Sequence, residues 1–290
     1  MIDFSGQGAI VTGAGSGIGR ETALLLASRG AKVLVNDPAR EMAQAVVDEI
    51  RAAGGAAAAE LTPVGSVDAA KRIVRAAADF FGPVDILINN AGISRPGPFG
   101  QDSDADIERV FQVNLLGPYA LMRAVWPGMV ERGYGRILNT SSGAALGSGI
   151  SGAYAPSKSG IIGLTKDAAI SGKPHGIRIN AIMPTAHTSL LENHPDRDFR
   201  RWIEINFPAS LVAATSVFLT SRECDVTGEV FSTGGGLVQR VAFYETAGIL
   251  DKELTPEAVR DNMERICATE GGTVITRQSD RRGASRLSRS

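Results

Sequence analysis

The sequence has few residues that could form cross-links or hold metal ions. It contains only two cysteines, Cys224 and Cys267, and three histidines, His175, His187 and His194. Neither cysteine has a partner at Cys-x-x-Cys spacing, and the histidines form no ligand pattern with them, so the sequence predicts no metal site. Two isolated cysteines fit a reducing compartment, with a single disulfide between them as the alternative.

The chain also lacks an excess of charge of either sign. Its 30 basic and 31 acidic residues give a formal net charge of -1, whereas nucleic-acid binding usually requires a basic excess. No apolar run reaches the roughly 18 residues of a membrane span, and the first residues lack the basic start and apolar core of a signal peptide. We therefore expect a cytoplasmic protein that binds neither nucleic acid nor membrane.

The chain does have a regular alternation of short apolar runs with longer segments of helical periodicity. This alternation is typical of an α/β protein, in which helices cover both faces of a doubly wound parallel sheet. At 290 residues, we expect one such domain over residues 1–250. The predicted strands are 8–12, 32–36, 57–61, 85–89, 135–140, 177–182 and 228–233, and the predicted helices are 17–30, 39–53, 66–81, 103–131, 153–171 and 209–221.

Three segments depart from this alternation. Residues 184–208 are polar, contain proline and follow a predicted strand end, where ligands bind in open α/β sheets. We interpret them as a substrate lid, with a solvated surface loop as the alternative. Residues 251–272 are predicted to form a helical extension, because Thr255 and Pro256 form a helix start. Residues 273–290 are basic and without apolar periodicity, which predicts a disordered tail.

The first predicted strand leads into a glycine-rich turn. In the stretch TGAGSGIG, Gly13, Gly17 and Gly19 lie where the chain enters a helix. Glycine lets the backbone approach a phosphate closely, and the helix N-terminus stabilises the phosphate charge. The spacing Gly-x-x-x-Gly-x-Gly differs from the usual dinucleotide fingerprint Gly-x-Gly-x-x-Gly, so a purely structural turn is the alternative.

An acidic residue after the second strand strengthens the cofactor interpretation. Asp37 follows Gly19 by 18 residues, close to the roughly 20 expected for a carboxylate that binds the adenosine ribose. A carboxylate there would repel the 2′-phosphate of NADP, and Ser16 stands in the turn where a cation could otherwise bind that phosphate. Arg40 weakens this preference. The sequence therefore predicts NAD rather than NADP.

Five motifs, in order, resemble the classical short-chain dehydrogenases/reductases over residues 4–240. They are TGAGSGIG, NNAG at 89–92, Asn114 in VFQVNLLG, the serine pair of NTSSG, and YAPSK at 154–158. The resemblance implies a single Rossmann-type domain. Together with the turn and Asp37, the cofactor-binding residues that it implies are Gly13, Ser16, Gly17, Ile18, Gly19, Asp37, Asn90, Ala91, Gly92, Tyr154, Lys158 and Pro184.

The same resemblance implies the catalytic residues. Tyr154 would exchange a proton with the substrate oxygen, and Lys158, about one helical turn further on, would favour the phenolate. Asn114 would position a water molecule that relays protons. A serine would bind the substrate oxygen: Ser141 has the family's spacing of 13 residues from the tyrosine, but Ser142 has its place in the pair, and we favour Ser142.

The region after 228 resembles the (3R)-hydroxyacyl-CoA dehydrogenase domain of peroxisomal multifunctional enzyme type 2. This resemblance implies a small-molecule substrate, with a 3-hydroxyacyl-CoA as the leading prediction and a steroid, a sugar or another small alcohol as alternatives. A non-catalytic NAD-binding regulatory protein is a further alternative, against which the complete Asn, Ser, Tyr and Lys set argues. The family's usual subunit contacts, here 103–131 and 153–171, lead us to expect a homodimer or homotetramer.

Overall fold

The computed structural model describes residues 1–188 and 196–276, which fall into two compact units, Met1–Arg240 and the residues from Val241 onward. The strands of the main sheet are β1 (Gly8–Thr12), β2 (Lys32–Asn36), β3 (Ala56–Glu60), β4 (Ile86–Asn89), β5 (Gly135–Thr140), β6 (Ile177–Pro184), β7 (Val230–Gly234) and β8 (Leu237–Val241). Its helices are α1 (Gly17–Ser28), α2 (Arg40–Ala52), α3 (Val67–Phe81), α4 (Asp104–Phe111), α5 (Gly117–Arg132), α6 (Tyr154–Gly172), α7 (Arg197–Asn206) and α8 (Ala209–Leu219).

The strands form one sheet in the order β3-β2-β1-β4-β5-β6-β7-β8. Strands β1 to β7 pair in parallel. The chain runs outward from β1 to β3 and then returns to β4 on the other side of β1, so the helices of the two halves cover opposite faces of the sheet. This doubly wound arrangement confirms the predicted fold class, and it places the switch in strand order between β1 and β4.

Apolar side chains bury both faces of the sheet, as a parallel sheet between two helical layers requires. On one face, Val11, Ile88 and Leu138 pack with residues of α1, α2 and α8. On the other face, Ile10, Leu87, Ile137 and Ile179 pack with residues of α3, α5 and α6. The alternation of neighbouring residues such as Ile10 and Val11 follows from the two-residue period of a strand. Packing in the core therefore fixes the position of each strand relative to its neighbours, and with it the place where each strand ends.

The predicted helix over 103–131 is present as a helical segment from Asp104 to Arg132, but it is not a regular α-helix throughout. A π-helical turn, Gln112–Leu116, separates α4 from α5, and the Gly117 N–H donates to the Gln112 carbonyl five residues earlier. Pro118 has no N–H for the Asn114 carbonyl four residues before it, so a continuous α-helix would lose that hydrogen bond. The widened turn holds Asn114 in the interior of the protein.

The β7–β8 connection was not predicted from the sequence. Gly235 and Gly236, with φ of 57° and 84°, join the two strands, and consecutive positive φ values are typical of a two-residue hairpin turn. The side chains of Leu237 to Arg240 are exposed. Because the run LVQRV lacks a buried face, its apolar pattern gave no strand signal.

The smaller unit contains β9 (Phe243–Glu245), α9 (Pro256–Asp261), α10 (Met263–Cys267) and β10 (Thr273–Ile275). Thr255 caps α9 by accepting a hydrogen bond from the Ala258 N–H, as its place before Pro256 predicts. The predicted start of the tail at 273 is wrong, because β10 pairs antiparallel with β9. The compact unit also begins at Val241 rather than near 251. The rest of the predicted tail, from 277 on, lies outside the described residues.

Both cysteines are free thiols: Cys224 is buried and Cys267 is exposed. Within the described ranges, no single helix has the length and hydropathy of a membrane span; only α7 and α8 together reach them, as a pair bent by 46°. The segment 189–195 of the predicted lid lies outside the described residues, and the lid role of 184–208 stays a prediction.

Candidate active site

The carboxyl ends of β1, β2, β4, β5 and β6 open into a cleft of about 270 Å³. This is the edge of an open α/β sheet at which ligands bind. All predicted site residues except Gly19 and Asn114 line the cleft. The lining consists of Gly13, Ser16, Gly17, Ile18, Asp37, Asn90, Ala91, Gly92, Thr140, Ser141, Ser142, Tyr154, Lys158, Pro184, Ala186 and Thr188.

The glycine turn is held in place by the segment that follows β4. The Thr12 hydroxyl accepts hydrogen bonds from the N–H groups of Asn90 (3.1 Å) and Ala91 (3.0 Å), and the Asn90 side-chain amide donates to the carbonyls of Thr12 and Gly13. A Cβ atom on Gly13 would lie 2.8 Å from the Ala91 Cα, and one on Gly19 would overlap the Gly13 carbonyl. Gly19 therefore brings α1 against the turn and does not itself line the cleft.

The N-terminus of α1 has the features of a phosphate site. Ser16 occupies the N-cap position, but its side chain caps no N–H of the helix, and the first turn of α1 contains no acidic residue. Gly17, with φ of 53°, lies in the lining of the cleft. Uncapped N–H groups and the positive end of the helix stabilise an anion there. These residues fit the pyrophosphate of a nicotinamide dinucleotide.

Asp37 lies at the end of β2 and also lines the cleft. One of its carboxylate oxygens accepts from the Gly15 N–H at 3.0 Å, and the other accepts from the Ala39 N–H at 2.9 Å. The carboxylate therefore connects the glycine turn to the loop that precedes α2. Since carboxylate oxygens have several lone pairs, both can also accept hydrogen bonds from ribose hydroxyl groups.

The two candidate serines have different surroundings. The Ser141 hydroxyl is buried and donates to the Lys158 carbonyl at 2.7 Å, so it serves the packing of α6 against β5. The Ser142 hydroxyl acts on the phenol of Tyr154, whose pKa it lowers, and it accepts a hydrogen bond from the Ala144 N–H. The structure thus brings Ser142, and not Ser141, against the tyrosine oxygen. The role of Ser142 toward substrate stays a prediction.

Lys158 is a buried cation at the bottom of the cleft. Its ammonium Nζ donates to the Thr140 carbonyl at 2.7 Å and lies 5.6 Å from the centre of the Tyr154 ring. Burial lowers the pKa of Lys158 from 10.5 to about 8, because removal from water disfavours the charged form. A Cβ atom on Gly92 would lie 3.2 Å from Nζ, so glycine at this position leaves room for the ammonium.

The expectation that Lys158 brings the pKa of Tyr154 down is wrong, because the pKa is raised. Burial raises the pKa of the Tyr154 phenol, and the nearby Ser142 hydroxyl opposes that shift. The Lys158 ammonium lies over the ring and is directed at Thr140, so its charge does not outweigh the loss of water around the phenol oxygen. The phenol is therefore the resting form, which is the form that donates a proton.

Asn114 lies behind the cleft in the π-helical turn. Its Oδ1 accepts from the Ile93 N–H at 2.9 Å, and its Nδ2 donates to the Ile93 carbonyl (2.9 Å) and to the Ser157 hydroxyl (3.2 Å). Its side chain therefore holds the segment after NNAG against α6. The predicted contact with a relay water stays a prediction.

Four lining residues were not predicted: Thr140, Ser141 as a lining group, Ala186 and Thr188. Thr140 and Ala186 follow the strand-end rule, since β5 ends at Thr140 and Ala186 comes two residues after β6. Thr188 lies in the lining because the fold brings it against the glycine turn: its Cγ2 is 3.2 Å from the position that a Cβ atom on Gly17 would occupy. Their residue types alone carry no cofactor signal.

Comparison with known proteins identifies the family of this fold and cleft. A family model described as short chain dehydrogenase matches residues 7–198. The chain belongs to the short-chain dehydrogenase family. It is therefore an oxidoreductase, and the cofactor of this family is NAD or NADP.

Among the relatives of this short-chain dehydrogenase, peroxisomal multifunctional enzyme A of Dictyostelium discoideum is 38% identical over 289 residues, covering 96% of this chain and 64% of that protein. Peroxisomal multifunctional enzyme type 2 of Mus musculus is 37% identical over 280 residues, covering 92% and 37%. The chain thus spans less than two thirds of either relative.

A solved structure extends the comparison to a bound state. The structure of 7α-hydroxysteroid dehydrogenase complexed with NADH and 7-oxo glycochenodeoxycholic acid matches with a TM-score of 0.74 and 32% identity. The match covers 81% of this chain and 95% of that one. This fold therefore accommodates NADH together with an oxo compound in a related dehydrogenase.

Proposed function

We propose that this dehydrogenase uses NAD to interconvert a 3-hydroxyacyl-CoA and the corresponding 3-oxoacyl-CoA. The observation that carries the proposal is the juxtaposition of Tyr154, Ser142 and Lys158 in a cleft that also contains Asp37 and an uncapped α1 N-terminus. The names of the multifunctional relatives support the acyl-CoA class. Asp37, whose charge repels a 2′-phosphate, supports NAD over NADP.

Tyr154, Ser142 and Lys158 would each have a separate role in one reversible reaction. When bound, NAD supplies the ring carbon that accepts hydride. As the substrate C–H bond breaks and hydride leaves, the Tyr154 phenolate takes the hydroxyl proton and a carbonyl forms; in reverse, the Tyr154 phenol donates that proton. Ser142 orients the substrate oxygen beside the phenol, and the positive charge of Lys158 stabilises the phenolate.

A substrate panel tests the proposal. Purified protein is mixed with NAD or NADP and with both epimers of a 3-hydroxyacyl-CoA, free 3-hydroxy acids, a sugar alcohol and a 7α-hydroxysteroid, and the absorbance of the reduced cofactor is followed. We expect the highest kcat/KM for one 3-hydroxyacyl-CoA epimer with NAD. Higher values for the steroid would support the hydroxysteroid alternative. Binding of NADH without turnover of any compound would support a regulatory protein.

Replacing each serine by alanine separates their roles. Ser142→Ala is expected to lower kcat by about a hundredfold, because it removes the hydroxyl group proposed to orient the substrate oxygen beside the Tyr154 phenol. Ser141→Ala is expected to lower the free energy of unfolding by roughly 1 kcal/mol through loss of the bond to Lys158, with a smaller fall in kcat. Steady-state kinetics and thermal unfolding of both variants measure these effects. A larger fall in kcat for Ser141→Ala would assign the role to Ser141.

We also propose that the protein is a homodimer or homotetramer. Leu116, Tyr119 and Ile170 are 42%, 55% and 56% exposed, respectively, on the two predicted contact segments, 103–131 and 153–171. Exposed apolar side chains of this size are common where subunits meet. Light scattering of the purified protein measures the mass in solution.

A further inference from the structure

Two loops beside the cleft are joined by hydrogen bonds. The first, residues 90–103, continues from the cleft-lining Asn90–Gly92 toward α4, and the second, residues 147–153, leads into α6. The Gly97 N–H donates to the Ile150 carbonyl at 2.9 Å, and Gly97 and Ser151 form an isolated parallel bridge. The chain just before Tyr154 is therefore supported by the first loop.

Asp102, in the first loop, contacts the residue that directly precedes Tyr154. Its Oδ1 accepts a hydrogen bond from the Ala153 N–H at 3.2 Å. Ala153 is the N-cap of α6, and its side chain makes no cap hydrogen bond. Asp102 thus places an acceptor and a negative charge on the N-cap N–H of a 19-residue helix, the group to which the carboxylate of a capping box also binds.

The residue between Ser151 and Ala153 is adapted to this contact. Gly152 has φ of 48°, in the left-handed region that favours glycine. A Cβ atom built on Gly152 would overlap the Asp102 carboxylate. The close approach of Asp102 to the turn therefore requires glycine at 152, and the two residues form a matched pair.

We propose that Asp102 is a positioning residue for the reaction. By fixing the Gly152–Ala153 turn, its carboxylate keeps the Tyr154 phenol in contact with Ser142. The inference rests on the proposed role of Tyr154. Asp102 is not among the residues that line the cleft, so it acts through the turn and touches neither substrate nor cofactor.

Substitutions at Asp102 test the inference. Asp102→Ala is expected to lower kcat about tenfold or more, because small displacements of a catalytic group are costly. The Kd for NADH should change less than about twofold, since the nucleotide-binding residues are untouched. Asp102→Asn is expected to retain most of kcat, because its amide oxygen can accept the Ala153 N–H. Ser66→Ala, which removes the cap of α3, a helix with no residue in the lining of the cleft, is the control and should lower stability without changing kcat.

A double-mutant cycle tests the pair. Gly152→Ala should lower kcat on its own, because the added Cβ displaces the carboxylate. In Asp102→Ala/Gly152→Ala the fall should be smaller than the product of the two separate effects, since the overlap is gone. Turnover of Asp102→Ala within twofold of the unmodified protein, or an equal loss for Asp102→Asn, would overturn the inference. If Tyr154→Phe keeps its turnover, the proposed function itself is contradicted. If Tyr154→Phe loses its turnover and Asp102→Ala keeps it, only the inference about Asp102 is contradicted.

Discussion

Tyr154→Phe is expected to reduce kcat by about a thousandfold while the Kd for NADH changes less than about threefold. The substitution keeps the ring and its packing but removes the hydroxyl that we propose exchanges a proton with the substrate oxygen. The phenol is one group among many in the lining of the cleft, so the nucleotide site remains. Single-turnover kinetics and NADH fluorescence titration measure the two quantities separately.

Tyr134→Phe provides the matched control. The Tyr134 phenol is also partly buried, and burial raises its pKa, but its hydroxyl is hydrogen-bonded to Gln7 and it does not line the cleft. The same atom is removed in both variants, so Tyr134→Phe should keep its turnover. Retention of more than a tenth of kcat by Tyr154→Phe would contradict the assignment of Tyr154 as the proton-exchanging group.

Lys158→Met should abolish most turnover and yet stabilise the fold at pH 7. Burial of the ammonium, which lowers its pKa from 10.5 to about 8, destabilises the folded state by about 3 kcal/mol when the lysine is charged. Methionine has no such cost, although it loses the hydrogen bond to Thr140, which contributes roughly 1 kcal/mol. We therefore expect the free energy of unfolding at pH 7 to rise by roughly 2 kcal/mol.

The gain in stability should depend on pH with a definite sign. Because the folded pKa of Lys158 is depressed, the unfolded chain binds the proton more tightly, so the unmodified protein becomes more stable as pH rises from about 8 to 10.5. The advantage of Lys158→Met should shrink over that range. Denaturant unfolding at several pH values measures it, with Lys166→Met, whose ammonium bonds the Gly228 carbonyl, as the control expected to keep its turnover. A constant or growing advantage would contradict a buried ammonium.

Much of the cleft could be predicted from sequence because its residues follow strand ends. Thr12, Asn36, Asn89 and Thr140 terminate strands whose apolar runs are easily recognised. Parallel strands bring those ends to one edge, so the motifs that follow them meet in space without further information. The same rule explains why Thr140 and Ala186 belong to the lining although their residue types have no particular chemistry.

The other features of the site and the fold could not be predicted from the sequence, because they depend on tertiary contacts. Position after β5 was enough to favour Ser142 over Ser141, but the bond from Ser141 to the Lys158 carbonyl depends on how α6 packs against β5. The Tyr154 pKa required knowledge of burial and of the true direction of the Lys158 ammonium. The π-helical turn at Asn114 is associated with Pro118. The strand β10 forms by pairing with β9. Neither feature produces a periodic apolar pattern in the sequence.

An isotope experiment tests most directly whether hydride passes from C3 of the substrate to the cofactor. A 3-hydroxyacyl-CoA that carries deuterium on C3 is incubated with NAD and the protein, and the products are analysed by mass spectrometry. Proton exchange at Tyr154 with hydride transfer to the cofactor predicts NADH that carries one deuterium, together with an equal amount of 3-oxoacyl-CoA. Unlabelled NADH, or no NADH with either epimer, would contradict the proposed reaction.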